Sequence, residues 1–277
     1  MPSARRTRRR HLACGRRCGR RLAGSATLLF AVAAACGSDD EPVGAEGAAG
    51  DASSADVVVF AAASLTEVFT AIGDAFTADH GDIDVTFSFA ASSELVAQIA
   101  QGAPADVFAS ADEATMAKLV DAGEAASAPA VFATNSLAIL VSDGNPEGIA
   151  TLTDLADEDL VVVTCATEVP CGAYAVDVLE RAGVDVTPKS YEENVRAVVA
   201  KVLLGEADAG IVYRTDVVAA GDDADGVTIP DDVNVVARYP VAITKAADDA
   251  VAAQTFIDFV QSEDGQAILA SHGFAPP

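Results

Sequence analysis

The chain has 277 residues, of which 42 are acidic and 17 are basic, so its formal charge at pH 7 is −25. Nine of the basic residues are arginines within the first 21 positions, and without that segment eight basic residues stand against 42 acidic ones, a formal charge of −34. Such a surface repels nucleic acids and anionic lipid head groups at long range, which excludes both as partners. Residues 56–277 suffice for one large domain or for two lobes with cores of their own.

The N-terminal segment has the order of a secretory signal. Arginines crowd residues 5–21, an apolar run follows at 28–35, and Cys36 comes directly after small residues. The apolar run is too short to span a bilayer as a permanent helix. Residues 32–36, VAAAC, resemble a bacterial lipobox, which implies that residues 1–35 are removed as a signal peptide and that Cys36 receives a lipid anchor. Two or three acyl chains make such an anchor stable.

Residues 36–55 are predicted to be a flexible tether that begins at the lipidated cysteine. They consist mainly of Gly, Ser, Ala, Asp and Glu, a composition that cannot form a core. Arginine pairs at 9–10 and 20–21 leave both general secretion and twin-arginine export open, since neither lies in a clear consensus. We therefore expect an exported protein that is anchored to the outer face of the cytoplasmic membrane.

Two cysteines, Cys165 and Cys171, remain once the leader and the lipidation site are set aside. In an oxidising compartment such a pair is expected to form a disulfide. Their C-x5-C spacing is neither a redox nor a zinc pattern, and a chain with three histidines has too few to build a ligand cluster around them. We expect no cofactor.

Strands and helices alternate along the predicted fold. In the first part of the chain, the apolar patterns predict strands at 56–62, 85–89 and 106–110, each followed by a helix, from Ser64, at 92–102 and at 112–122. The middle part has an apolar run at 135–142, a strand at 160–164, helices at 172–182 and 194–204, a strand at 209–213 and a short helix at 216–220. A loop at 221–232 leads to a strand at 235–244 and to closing helices at 249–260 and 262–270. This order predicts a parallel α/β sheet.

Three helix starts follow strands directly, at Ser64, at Ser92 and at Cys171. Open α/β sheets bind ligands at this carboxyl side of their strands. Helix N-termini offer unpaired backbone N–H groups and the positive end of the helix dipole. Several of them aimed at one cleft would bind an anion without a charged side chain, although an ordinary helix cap also explains each serine taken alone.

Several ordered segments resemble the molybdate-binding proteins of bacterial ATP-binding-cassette transporters. They are AAASLT at 61–66, FAASSEL at 89–95, GAPADVFASAD at 102–112, GEADAGIVY at 205–213, and the ending from YPVAI at 239–243 to Phe274. The resemblance implies extracytoplasmic binding of molybdate, with tungstate as a second ligand. It also implies delivery to the permease subunits of the transporter by a monomer that is not an enzyme.

The resemblance further implies an α/β fold with two lobes, the type II periplasmic-binding-protein fold, in which each lobe has a mixed or parallel sheet flanked by helices. The chain would cross between the lobes near residues 135–141 and again near 237–243. Lobe I then comprises residues 56–136 plus 238–277, and lobe II comprises residues 137–237.

By the same resemblance, five residues hold the oxyanion between the lobes: the hydroxyl groups of Ser64, Ser92 and Tyr213 and the backbone of Cys171 and Val195. Cys171 departs from the small, alanine-like residue that is common at this turn. Because the contact there is a backbone N–H, the side chain can change without loss of the donor, and a bridge to Cys165 would stiffen the turn. Arg196 is the basic residue nearby, and an ion pair with a carboxylate is its simpler interpretation.

Other functions stay open at this point. Binding of sulfate or phosphate uses the same donors, and these anions differ from molybdate in size, while protonated phosphate also needs an acceptor. Tungstate binding through carboxylate ligands is disfavoured because the matched positions hold Ser, Ser, Cys, Val and Tyr. A serine hydrolase with Ser64 as nucleophile would need a base, but His80 and His272 lie at no strand end, and no G-x-S-x-G elbow surrounds Ser64.

Overall fold

The computed structural model describes residues 55–277. The predicted signal peptide, Cys36 and the predicted tether up to residue 54 lie outside the described residues. Within the part of the chain that is described, no helix combines the length and the apolar character needed to cross a membrane.

Nine strands and eight α-helices alternate along the described residues. The strands are β1 (Ala55–Ala62), β2 (Ile83–Ala90), β3 (Val107–Ala109), β4 (Ala130–Ser142), β5 (Val162–Cys165), β6 (Ser190–Glu192), β7 (Ala209–Tyr213), β8 (Ala224–Thr228) and β9 (Val236–Ile243). The helices are α1 (Thr66–Asp79), α2 (Ser92–Ala100), α3 (Glu113–Asp121), α4 (Pro170–Ala182), α5 (Val195–Leu203), α6 (Arg214–Ala220), α7 (Ala250–Gln261) and α8 (Glu263–Ser271).

The strands form one mixed sheet in the order β2-β1-β3-β9-β4-β7-β5-β6, with β8 also paired to β4. Parallel pairs lie towards both ends, where β1 joins β2 and β3, and where β5 joins β6 and β7. At the centre, β9 and β4 run antiparallel to their neighbours. The alternation of strands and helices predicts the parallel pairs, whereas the antiparallel centre arises from the two strands that connect the two ends.

The sheet has two halves, the two lobes of the fold, because β4 changes its partners along its length. Residues 130–136 pair with β9, and residues 137–142 pair with β7 and β8. The change falls between Ser136 and Leu137. We propose that the lobes divide there and after residue 237, as the resemblance implies, and the switch of partners within β4 supports the first of these divisions.

An aromatic cluster fills the core beneath β1 and β2. On α1 the apolar side chains at helical spacing are all buried: Val68, Phe69, Ile72 and Phe76. Phe69 contacts Phe132 and Phe256, with ring centroids 5.6 and 6.1 Å apart. Each such buried side chain stabilises the fold by about 1.5–3 kcal/mol relative to its exposed state. The helix that follows Ser64 is therefore packed firmly into lobe I.

Two strands differ from the sequence prediction. Residues 221–232, predicted as a loop, contain β8, which pairs antiparallel with β4. Asp225 and Gly226 make this strand hard to recognise from the sequence, since both residue types are uncommon in sheets. The glycine is required because a Cβ at that position would lie 2.4 Å from Cγ1 of Val217 on α6. The three-residue β6 was also missed, because its only sheet partner is the distant β5.

Candidate functional site

One cavity brings together all five residues that the sequence predicts as ligands. It measures about 220 Å³ when the part open to solvent is included, and its wall includes Ser64, Ser92, Cys171, Val195 and Tyr213. These residues follow or end β1, β2, β5, β6 and β7, so both lobes contribute to the wall. The site therefore lies at the carboxyl ends of strands, where this kind of sheet binds ligands.

The size and composition of the cavity restrict its ligand. Pockets for drug-sized molecules occupy about 300–1,000 Å³, and the enclosed part of the present cavity, about 20 Å³, is far smaller. Among the described residues, those that line it carry no formal charge, and Ala62, Ala63, Ala91 and Ala111 make much of its wall small and apolar. Small side chains let a ligand approach the backbone closely. The cavity suits a compact ion bound by neutral groups.

Ser64 lies in a short 3-10 turn, Ala63–Leu65, between β1 and α1, and is 7% exposed. Its Oγ lies 3.0 Å from the hydroxyl oxygen of Tyr239. The α-helix itself begins two residues later than predicted, at Thr66, and Ser64 makes no capping hydrogen bond. The helix-cap alternative for this serine is therefore wrong, because its hydroxyl bonds to another side chain beside the cavity.

Ser92 is the first residue of α2 and is 1% exposed. Its Oγ accepts a hydrogen bond of 3.0 Å from the backbone N–H of Ala111. Ala91 occupies the N-cap position, and no side chain caps the helix. Since the Ala111 N–H fills one lone pair of Ser92, the hydroxyl proton of Ser92 stays available to a ligand.

Two further helices start at the cavity wall in lobe II. Cys171 is the second residue of α4 and Val195 is the first residue of α5. N–H groups in the first turn of a helix have no partner within the helix and carry its partial positive charge. Asn194, which also lines the cavity, caps α5, because its Oδ1 accepts from the N–H of Ala197 at 3.1 Å.

The turn before Cys171 is compact and cross-linked. Cys165 and Cys171 form the expected disulfide, with their Cα atoms 5.8 Å apart. The turn also requires Gly172, since a Cβ there would lie 1.9 Å from the carbonyl oxygen of Ala166. The bridge and the close backbone contact together fix the position of the Cys171 N–H at the cavity.

Tyr213, the last residue of β7, contributes a buried hydroxyl. The residue is 1% exposed, and its hydroxyl has no hydrogen-bond partner among the described residues. Burial raises the pKa of Tyr213 well above its ordinary value, so the hydroxyl stays protonated and able to donate. An unsatisfied buried polar group costs about 1–3 kcal/mol. A ligand oxygen in the cavity would supply the acceptor that this hydroxyl lacks.

Charged groups lie outside the cavity wall. Asp216 accepts a hydrogen bond of 2.9 Å from the N–H of Tyr213, and burial raises the pKa of its carboxyl group to about 7. Arg196 on α5 forms an ion pair with Glu67 on α1, as its simpler interpretation predicts. This pair joins a helix of lobe II to a helix of lobe I, and neither partner lines the cavity.

Three residues beside the site were not predicted. Asn194 lines the cavity, and Tyr239 and Asn135 form hydrogen bonds behind Ser64. The Asn before an apolar helical pattern is a recognisable N-cap signal. Tyr239 and Asn135 leave no local signal, because Tyr239 lies 175 positions from Ser64 and Asn135 lies 104 positions from Tyr239, so only the fold brings these side chains together.

The fold and the cavity define a class of protein: a two-lobed solute-binding protein whose cleft presents neutral hydrogen-bond donors to a small ligand. The chain belongs to the family of bacterial extracellular solute-binding proteins, whose model matches residues 57–275. It is similar to the molybdate-binding protein ModA of Mycobacterium tuberculosis, with 40% identity over 90% of this chain and 95% of that protein. It is also similar to ModA of Escherichia coli, with 34% identity over 79% of this chain and 88% of that protein.

Solved structures show the same fold. The periplasmic molybdate-binding protein of Azotobacter vinelandii superposes with a TM-score of 0.72 at 22% identity, covering 80% of this chain and 99% of that one. The sulfate-binding protein SubI of Mycobacterium tuberculosis superposes with a TM-score of 0.73 at 21% identity, covering 80% of this chain and 87% of that one. At such identities the likeness establishes the fold and leaves the ligand to be argued from the site.

Proposed function

We propose that the protein binds molybdate outside the cytoplasm and delivers it to an ATP-binding-cassette transporter, with tungstate as a second ligand. One observation carries this proposal: a buried, protonated Tyr213 hydroxyl without a partner among the described residues lines a small cavity together with Ser64, Ser92 and the starts of two helices. A tetrahedral oxyanion supplies acceptor oxygens in several directions at once. The curated relatives named above are molybdate-binding proteins, which supports molybdate as that anion.

The strong negative charge of the chain does not prevent anion binding. At physiological ionic strength, charges are screened beyond about 8 Å. Within that range, the hydroxyl groups and helix N-termini at the cavity dominate the local field. In a site without bulk water, each of these hydrogen bonds is stronger than it would be in solvent. The anion is thus held by neutral donors that need no counter-charge.

We propose further that the protein has no enzymatic activity and needs no cofactor. A nucleophilic serine requires a base, yet Ser64 bonds to the Tyr239 hydroxyl and Ser92 accepts from a backbone N–H. Among the described residues, no histidine or carboxylate lines the cavity. A neutral cavity of this kind suits binding and release rather than catalysis.

Sulfate is the second candidate, because no carboxylate among the described residues lines the cavity to accept from a protonated anion. The fold itself accommodates either ligand, since a sulfate-binding protein shares it. Molybdate and tungstate are larger than sulfate, so the fit to the cavity decides between them.

Calorimetric titration of the purified protein with molybdate, tungstate, sulfate and phosphate tests the proposal. We expect molybdate and tungstate to bind most tightly, sulfate more weakly and phosphate most weakly. Tighter binding of sulfate than of molybdate would make the protein a sulfate carrier.

A further inference from the structure

The Ser64 hydroxyl is backed by two side chains on the strands that connect the lobes. Tyr239 lies on β9 and Asn135 on β4, and these strands pair antiparallel in this region. Both side chains are buried, with exposed fractions of 0% and 5%. Neither residue lines the cavity. Their effect on a ligand passes through residues that do, since Tyr239 bonds to Ser64 and its ring lies 5.9 Å from the ring of Tyr213.

The orientation of the Asn135 amide determines which group donates and which accepts in these hydrogen bonds. Its Oδ1 accepts from the backbone N–H of Ser136 at 2.9 Å, which fixes which end of the amide faces which neighbour. Its Nδ2 lies 2.8 Å from Oγ1 of Thr215 and 3.5 Å from the hydroxyl oxygen of Tyr239. An amide nitrogen can only donate, so the Tyr239 oxygen accepts from Asn135.

The phenolic proton of Tyr239 is then directed to Ser64. The two oxygens lie 3.0 Å apart, and Tyr239 already accepts from the amide. Burial raises the pKa of Tyr239 above its ordinary value, so the phenol keeps the proton that it donates. Ser64 accepts the hydrogen bond from Tyr239 with one lone pair, and its own proton points to another acceptor.

We infer that Tyr239, oriented by Asn135, is a positioning residue that makes Ser64 a hydrogen-bond donor to the bound anion. The N–H of Ala111 makes Ser92 a donor in the same way, because it donates to the Oγ of Ser92. This inference rests on the proposed function, and it explains how two serines, which could each accept or donate, present donors to the cavity.

The arrangement determines specificity for fully deprotonated oxyanions. Molybdate and sulfate carry no proton near neutral pH and can accept from every donor. Hydrogenphosphate must donate its own proton, and a serine that already accepts one hydrogen bond while donating its proton to the anion has a single lone pair left for it, which makes it a poor acceptor. Removal of the Tyr239 hydroxyl frees a lone pair on Ser64 and so admits the protonated anion.

The test compares sulfate with hydrogenphosphate, two anions of similar size that differ by one proton. Binding is measured from the rise in Tm of the purified protein at increasing anion concentration, which extends to millimolar affinities. In Tyr239→Phe we expect molybdate and sulfate to bind about tenfold more weakly, the effect of one hydrogen bond near 1.4 kcal/mol. Hydrogenphosphate should bind as well as before or better.

Two other variants separate positioning from a general loss of structure. Tyr213→Phe removes a cavity donor without touching Ser64 and should weaken sulfate and hydrogenphosphate alike. Asn135→Asp keeps the shape of the side chain but introduces a carboxylate that accepts a hydrogen bond from the Tyr239 hydroxyl, which then no longer donates to Ser64. It should therefore narrow the preference for sulfate over hydrogenphosphate as Tyr239→Phe does.

An unchanged preference in both Tyr239→Phe and Asn135→Asp, with both variants folded in the absence of anion, would overturn the assignment of Tyr239. Failure of the unaltered protein to bind any of the anions would instead overturn the proposed function, and the assignment with it.

Discussion

At the scale of single residues, the hydroxyl of Tyr213 has different effects on ligand binding and on the stability of the fold. It is buried without a hydrogen-bond partner among the described residues, so it destabilises the empty protein and becomes useful when a ligand oxygen arrives. The same hydroxyl group therefore lowers the stability of the unliganded protein and stabilises the complex with the ligand. This is the pattern expected where a fold gives up some stability to form a site.

Tyr213→Phe should weaken molybdate binding by about 1–3 kcal/mol and leave the unliganded protein as stable as before or more stable. Ser64→Ala should weaken binding by a similar amount. Calorimetric titration and thermal unfolding of the unliganded protein measure the two effects. Tyr191→Phe, on an exposed side chain, is the matched control and should change neither. A variant at Tyr213 that binds with unchanged affinity would place the anion elsewhere.

The sequence could predict the site residues only where they lie in recognisable segments. Ser64, Ser92 and Tyr213 each lie in a short motif next to a strand end, and the structure brings them to one cavity with Cys171 and Val195. Tyr239 lies in a segment that is part of the resemblance, yet nothing local shows that its hydroxyl reaches Ser64. That contact depends on the pairing of distant strands, which a single sequence does not determine.

At the scale of elements, the turn between β5 and α4 positions a backbone donor by steric means. Gly172→Ala would place a Cβ 1.9 Å from the carbonyl oxygen of Ala166, so the turn would have to open. We expect a loss of stability of about 1–3 kcal/mol, together with weaker molybdate binding as the Cys171 N–H moves. Urea unfolding and calorimetry measure these effects.

Gly81→Ala is the control for this substitution. Gly81 is exposed, and a Cβ there would lie an ordinary 3.8 Å from the nearest atom, the carbonyl oxygen of Thr77. It should unfold and bind as the unaltered protein does. If Gly172→Ala retained full affinity, the turn would not be what positions the donor.

The start of α6 makes stability depend on pH. Burial raises the pKa of Asp216 from 3.8 to about 7, so between these values the folded protein holds a proton that the unfolded chain has lost. The free energy of unfolding should therefore fall as pH rises from about 4 to about 7, by up to about 4 kcal/mol if this group acted alone. Glu67 adds to the rise in pKa, while the Tyr213 N–H and Arg196 oppose it.

Asp216→Asn should remove this part of the pH dependence, because the amide has no proton to lose and its oxygen can still accept from the Tyr213 N–H. Urea unfolding at pH 5 and pH 8 measures the difference. Asp222→Asn, at an exposed carboxylate, should keep the slope of the unaltered protein. Equal slopes in Asp216→Asn and the unaltered protein would mean that Asp216 titrates normally.

The helices and strands that the sequence predicts are the long ones with a regular pattern of apolar residues. Long elements with regular apolar spacing, such as α1, were predicted from the sequence because their own residues specify them. The strands β8 and β6 were not predicted, since their own residues do not specify a strand. They become strands only because β8 pairs with β4 and β6 pairs with β5. The antiparallel centre of the sheet was not predicted either, because the local pattern indicated parallel strands and the resemblance implied only a mixed or parallel sheet in each lobe.

At the scale of the whole molecule, the proposed function requires the carrier to stay near its transporter. A lipid on Cys36 would confine it to the membrane that holds the permease and so raise the effective concentration of the carrier there. A flexible tether between the anchor and residue 56 would let the two lobes reach the permease in different orientations. The anchor and the cleft would then serve transport as independent parts.

Cys36→Ser tests this independence. The variant cannot form the thioether to lipid, so we expect it to leave the membrane fraction and appear in the soluble fraction outside the cytoplasm. Its affinity for molybdate should equal that of the unaltered protein, because the cavity is built entirely from residues beyond position 61. Molybdate uptake at low concentration should fall, since a released carrier is diluted away from the permease. A variant that remained with the membrane would show that another segment anchors the chain.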